Sequence, residues 1–220
     1  MKEIYKQLFK EYKIFLDAEL PIDKDMIKES INNYINDNVD YTNKTCLDLG
    51  SNLGTFSKIA IDHGAKEVFA VECDHRNFNK ANNSFKEVEN VTVIHAAVSG
   101  FTEKKLKIFK SNANSNHSST SILKRGHTFN EYDEVDNVNF TELVNRIKPD
   151  IIKIDIEGAE YQILDAVIEY SPAILFIEIH GSLEKCTPAL AKLRDHYRNY
   201  MIDEIIFFNK IGGHDCLFYK

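Results

Sequence analysis

The chain lacks any apolar run approaching the roughly 18 residues needed to cross a bilayer, which excludes a membrane-spanning protein. It also lacks a C-x-x-C pair. Cys46, Cys73, Cys186 and Cys216 are widely scattered, so the common zinc and thiol-redox motifs are excluded. Cys46 and Cys216 fall in apolar, strand-like segments and read as buried free thiols. An excess of positive charge is missing too: 27 Lys and Arg face 34 Asp and Glu, for a formal net charge of −7. That balance makes a nucleic-acid partner unfavoured, because such proteins carry a basic face. The basic run Lys104, Lys105, Lys107 and Lys110 reads as a solvated strand edge, with Lys105 and Lys107 on one side. Finally, Met1-Lys2-Glu3-Ile4-Tyr5-Lys6 has neither the apolar core nor the cleavage site of a secretory signal, so a cytoplasmic protein is expected.

What is present is a regular alternation of apolar patterns. The 220 residues suffice for one domain with a short extension before it. Leu8, Tyr12, Phe15 and Leu16 recur at helical spacing, as do Met26, Ile27, Ile31, Tyr34 and Ile35, so residues 1–40 are expected to form a helical extension. Over residues 41–220 the order becomes strand, helix, strand. Strands are predicted at Thr45–Leu49, Val68–Glu72, Val91–Ala97, Ile151–Ile156 and Ala173–Ile179. Helices are predicted at Phe56–His63, Asn77–Lys86, Thr141–Ile147, Ala159–Tyr170 and from Pro188 to Arg198. This alternation predicts an α/β fold with a mostly parallel, doubly wound sheet. At the end, Glu204–Phe208 and Cys216–Tyr219 are close in sequence without a crossover helix, so they are expected to pair as an antiparallel hairpin across Asn209–Asp215. The polar stretch Ser111–Ser121 is expected to be a loop, either a lid or a plain linker.

The first strand runs into Asp48-Leu49-Gly50-Ser51-Asn52-Leu53-Gly54 and then a helix. Glycines there let a ligand approach the main chain beside a helix N-terminus. The dinucleotide fingerprint needs glycine at positions 50, 52 and 55, and Asn52 and Thr55 break it. Asp48 before the turn would repel a pyrophosphate and attract the ammonium and sulfonium charges of S-adenosylmethionine. Glu72, at the end of the second strand, stands where an acid accepts hydrogen bonds from ribose hydroxyls. Ala96, Ala97, Val98 and Ser99 are small enough to lie against an adenine ring.

In open α/β sheets ligands gather at the carboxyl ends of the strands. Two of those ends are polar. Period-two spacing aims Lys153, Asp155 and Glu157 to one side, and Glu178 and His180 to one side of the next strand. Lys153 in an apolar strand must be paired, either to anchor the strand or to serve chemistry. His180 or a neutralised Lys153 is a candidate general base. A divalent cation such as Mg²⁺ held by the carboxylates is an alternative, and a metal-free site is favoured because the spacing matches no metal signature.

These segments resemble the FkbM-type S-adenosylmethionine-dependent methyltransferases. The match rests on Leu47–Ser57, Val71-Glu72, Ala96–Ser99, the segment Ile151-Ile152-Lys153-Ile154-Asp155-Ile156-Glu157-Gly158-Ala159-Glu160, and Ile177-Glu178-Ile179-His180. The resemblance implies a Rossmann-like class I methyltransferase fold with a seven-stranded sheet, and O-methylation of sugars, glycans or polyketide-type metabolites. It places Asp48, Gly50, Ser51, Asn52, Gly54, Glu72, Ala97 and Asp155 around S-adenosylmethionine, or its product S-adenosylhomocysteine. Lys153, Asp155, Glu157, Glu178 and His180 fall near the reaction, and Ser121 with Ile122 matches a serine that closes over the site. A sugar or glycan acceptor is the leading expectation, and the chain is expected to be free-standing or one domain of a larger glycan-modifying polypeptide. An RNA ribose hydroxyl is the alternative acceptor, since lysine-and-acid groups serve that chemistry. A non-catalytic partner-binding module and an oxidoreductase are the other classes weighed. The resemblance does not reach residues 1–40, whose helices would cap the acceptor site or join the domain to a larger polypeptide.

Overall fold

The computed structural model describes residues 2–109, 122, 132–207 and 210–220. Two helices come first, α1 (Lys2–Phe15) and α2 (Pro21–Tyr34), followed by β1 (Thr45–Leu49), α3 (Thr55–Asp62), β2 (Glu67–Glu72), α4 (His75–Phe85) and β3 (Val91–His95). Then come β4 (Ala97–Ser99), β5 (Lys105–Phe109), β6 (Tyr132–Asn139), α5 (Phe140–Ile147), β7 (Ile151–Ile154) and α6 (Glu160–Tyr170). The chain closes with β8 (Ile174–His180), α7 (Leu183–His196), β9 (Asn199–Phe207) and β10 (Lys210–Tyr219). Seven strands form one sheet in the order β3-β2-β1-β7-β8-β10-β9. The pairs among β3, β2, β1, β7 and β8 are parallel, and β10 is antiparallel to both β8 and β9. The strand order reverses between β1 and β7, which is the topological switch point where this architecture opens a crevice.

Period-two alternation sends the strand residues to two separate cores. Leu47, Leu49, Ile152, Ile154, Ile177 and Ile179 pack under α5, α6 and α7. Cys46, Ile151 and Phe176 pack on the other side against Tyr12, Ile27, Ile31 and Phe56 of α1, α2 and α3. The first two helices are therefore part of a core, and their buried apolar positions are the ones with helical spacing. Arg76 on α4 forks onto both carboxylate oxygens of Asp23 on α2, at 3.2 and 2.8 Å. All four cysteines are free thiols, and Cys46 and Cys216 are buried. Among the described residues no helix is long and apolar enough to cross a membrane.

The elements depart from the sequence pattern in three places. The run Val91–Ala97 is split, because the Ala96 amide turns to the Glu72 carbonyl at 3.1 Å and β4 leaves for a second sheet of order β4-β6-β5. β5 in that sheet keeps Lys105 and Lys107 exposed with Ile108 buried. The hairpin is longer than its apolar runs suggest: residues 210–215 belong to β10, and the register shift between Ile211 and Gly213 places a bulge at Gly212 and Gly213, inside the stretch expected to be the turn. The last long helix begins at Leu183, and Pro188 lies inside it at the cost of one backbone bond. The stretch Ser111–Ser121 lies outside the described residues.

Candidate active site

The turn after β1 is shaped by backbone. Gly50 has φ +73°, and a Cβ there would fall 1.8 Å from the carbonyl oxygen of Asp155, so the β1 and β7 turns touch at a point only glycine permits. Gly54 has φ +88°, and its Cβ would meet the Phe85 ring at 2.5 Å. The amides of Gly50 and Ser51 both donate to the Val71 carbonyl at 3.0 Å. Glu72 completes the frame: its two carboxylate oxygens accept the amides of Asn52 and Asp74, each at 2.7 Å. Burial raises its pKa to about 7 against those two bonds. Each oxygen retains a lone pair for a further donor.

A cleft of about 580 Å³ opens at this switch point and is lined by Gly50, Asn52, Glu72, Ala97, Asp155 and Glu157 among others. Asp48 does not line it. That carboxylate is wholly buried, accepts from Ser57 Oγ at 2.7 Å, and faces Lys153 Nζ at 3.5 Å. Ser51 also stays out of the first cleft and lines a narrower passage beside Lys153 and Asp155. Ser121 lies outside the described residues, whereas Ile122 lines the cleft.

The ends of β7 and β8 carry a charged network. Lys153, only 5% exposed, donates to the Gly50 carbonyl at 2.6 Å and stands 3.6 Å from Asp155. Burial alone would lower its pKa, yet Asp155, Asp48, Glu178 and Glu72 together raise it. Lys153 is thus an ammonium and not a neutral base. His180 bonds Glu160 through Nδ1 and Glu178 through Nε2, both at 3.0 Å, with Glu157 at 3.5 Å. Burial opposes the charge, but the bonds to Glu160 and Glu178 carry the imidazole pKa up to about 12. His180 is an imidazolium at neutral pH, so the two candidate bases read from the sequence both hold protons. Glu178 is pushed up by burial and by Asp155. Asp155, Glu178 and His180 present ligand atoms within 4.8 Å of one another, a spacing that suits a cation as well as a proton.

Glu160 was the residue that strand-face reasoning missed. It is 1% exposed, and one oxygen accepts the Ile156 amide at 3.2 Å, the Gly158 amide at 2.9 Å and His180. It ties the turn after β7, where Glu157 takes φ +56°, to the end of β8. The signal was its place in the Lys-Ile-Asp-Ile-Glu-Gly-Ala-Glu segment. Lysine and acid converge with a cleft at the switch point of a seven-stranded sheet closed by an antiparallel hairpin, which is the class I methyltransferase architecture.

The methyltransferase FkbM domain model matches residues 38–205, and the chain belongs to that family. The FkbM methyltransferase from Methylobacillus flagellatus superposes with a TM-score of 0.51 at 14% identity, covering 97% of this chain and 59% of the other. Precorrin-6y C5,15-methyltransferase from Geobacter metallireducens gives 0.50 at 15% identity, covering 92% and 91%. The M. jannaschii TYW2 protein in complex with AdoMet gives 0.51 at 11% identity, covering 91% and 75%. These likenesses are of fold. No curated protein matches the chain.

Proposed function

We propose that this methyltransferase uses S-adenosylmethionine to methylate a hydroxyl group of a sugar or glycan. The observation that carries the reading is Asp155, a carboxylate that lines both the switch-point cleft and the passage beside it. The residues of the cleft fit the cofactor: Glu72 has lone pairs free for ribose hydroxyls, Asn52 and Gly50 form the close-approach turn, and Ala97 leaves room for a flat base. AdoMet in the fold-similar M. jannaschii protein supports the same assignment. When bound, the cofactor supplies a methyl group on a sulfonium.

The chain's own residues do the rest. Lys153 holds the turn through the Gly50 carbonyl and orients Asp155. His180 holds Glu178 in place. With Lys153 and His180 both protonated, a carboxylate must take the proton of the acceptor hydroxyl, and Asp155 is the one placed at the junction. Glu178 fixes the acceptor beside it. Placement in line with the methyl group contributes the larger share of the rate, up to roughly 7–11 kcal/mol for well-oriented groups. The network is read as metal-free, since His180 is bonded at both ring nitrogens.

Three measurements test this. Calorimetry with S-adenosylmethionine and NAD side by side should show heat only for the former. Labelled methyl transfer to a panel of sugars, RNA and phenolic metabolites should label the sugars, and labelling of RNA alone would replace the acceptor. Asp155→Asn should lower kcat by roughly 10²–10⁴-fold while chelators leave the wild-type rate unchanged. Loss of activity in EDTA, restored by Mg²⁺, would assign the trio to a cation instead.

A further inference from the structure

A second cleft of about 540 Å³ lies between α2 and the β9–β10 hairpin, bounded by Tyr34, Phe176, Asn33, Asn36, Glu178 and Asp215. The passage that holds Ser51 joins it to the cofactor cleft: it shares Tyr34 and Lys153 with the second cleft, and Asn52 and Asp155 with the first. Ser51 is 4% exposed and lines this passage, and its buried Oγ has no hydrogen-bond partner among the described residues. A buried hydroxyl left so is destabilising until a ligand completes its bonding.

The charge of the second cleft is one-sided. Strand register sets Glu178 opposite Asp215 and Asp215 opposite Asp203, so three carboxylates stand in a row across β8, β10 and β9. Asp155 adjoins Glu178 at the near end. Like charges directly opposite on neighbouring strands repel. Lys153 is held by Asp48 and Asp155, and His180 compensates Glu178 and Glu160, so among the described residues Asp215 and Asp203 are the members of the row without an ion-pair partner. Burial, with Glu178, Glu29 and Asp155 nearby, lifts Asp215 to about 7. The amides supply the neutral polar contacts. Asn33 donates to Asp215 at 3.2 Å and keeps its carbonyl oxygen, and among the described residues Asn36 Nδ2 has only the Met201 sulfur at 3.4 Å, a weak acceptor that a hydroxyl would displace. Tyr34 and Phe176, edge to face at 5.2 Å, form the apolar floor of the cleft.

We propose that this second cleft is the acceptor site and that it selects a polyol bearing an amino group, such as an amino sugar, over neutral and phosphorylated polyols. The proposal rests on the methyltransferase reading and narrows its substrate. An ammonium supplies the counter-charge that Asp215 and Asp203 lack, a phosphate meets the same row as repulsion, and the hydroxyls engage the asparagines of the cleft and Ser51 in the adjoining passage.

The test uses the full chain saturated with S-adenosylhomocysteine, titrated with glucosamine, glucose and glucose 6-phosphate and followed by ligand-observed NMR. Glucosamine should bind about fivefold or more tighter than glucose, the gain of roughly one well-placed ion pair. Glucose 6-phosphate should not bind. Asp215→Asn and Asp203→Asn should each narrow the glucosamine preference while leaving the affinity for S-adenosylhomocysteine unchanged, and the exposed Asp203 position keeps the test intact if Asp215→Asn fails to fold. Equal affinity for glucosamine and glucose, tighter binding of the phosphate, binding of none of the three, or an unaltered preference in both variants overturns the proposal. Binding of S-adenosylhomocysteine is measured first. Its absence would sink the cofactor reading, and the sugar titration of the free protein would still decide the second cleft.

Discussion

The two halves of the candidate site are built from different materials. Around β1 and β2 the cleft is made of main chain: glycines at positive φ, amides on the Val71 carbonyl, and one carboxylate held by two amides. Around β7 and β8 it is made of charged side chains in two adjoining sets, Lys153 with Asp155 and His180 with Glu178 and Glu160. A backbone frame is insensitive to protonation and intolerant of added atoms. A charge network is the reverse, since its geometry depends on which members carry protons.

The largest effect should come from adding one carbon to the backbone half. Gly50→Ala places a Cβ against the Asp155 carbonyl and a side chain at φ +73°, so urea denaturation should show a loss of roughly 3 kcal/mol or more. A loss under about 1 kcal/mol would show that the two turns yield to each other, and the contrast would fail.

Next in size is Glu160→Ala in the charged half. Removing one partner from a buried ion pair costs roughly 3 kcal/mol, and here it also frees the turn after β7. The milder Glu160→Gln sharpens the point through pH. His180 has its pKa raised from 6.5 to about 12, so the stability it adds is complete below about 6.5 and is lost as pH climbs toward 12. The variant should show a shallower loss of stability across that range, and NMR titration of the His180 ring should find its pKa moved back toward the ordinary value. An unmoved ring pKa would mean that Glu160 serves only the two amides.

The smallest stability change, about 1–3 kcal/mol, is expected for Glu72→Gln, which keeps the shape of the side chain but sets its NH2 against one of the two amides that the carboxylate oxygens accept. Glu72 has its pKa raised from 4.5 to about 7, so the wild-type protein loses stability as pH rises through that window. The glutamine variant should lose less there, while calorimetry shows its affinity for S-adenosylhomocysteine falling about tenfold, the order expected for weakened bonds to a charged acceptor. Unchanged affinity would remove Glu72 from the cofactor's surroundings.

The sequence made the backbone half easier to read than the charged half. β1 was legible to the residue because an apolar run is cut off sharply by Gly50, and β2 nearly so because it ends on Glu72. The residue types at the ends of β7 and β8 were equally visible, but their protonation was not, because the burial and partners that set it come from different strands. Lys153 and His180 each look like a base when read alone and become cations once Asp48, Glu160 and Glu178 are beside them. The small sheet was harder still. β6 reads Tyr-Asp-Glu-Val-Asp-Asn-Val-Asn, with Val135 its one fully buried side chain, and such a strand has almost no apolar signature.

The bond from Lys153 Nζ to the Gly50 carbonyl spans the two halves, and it makes them one thermodynamic object. A ligand that displaced the turn would move the acceptor of this bond, and with it the pairing of Lys153 to Asp155 at the passage toward the second cleft. In the proposed reaction any effect of the cofactor on acceptor affinity would be matched by an equal factor from acceptor to cofactor.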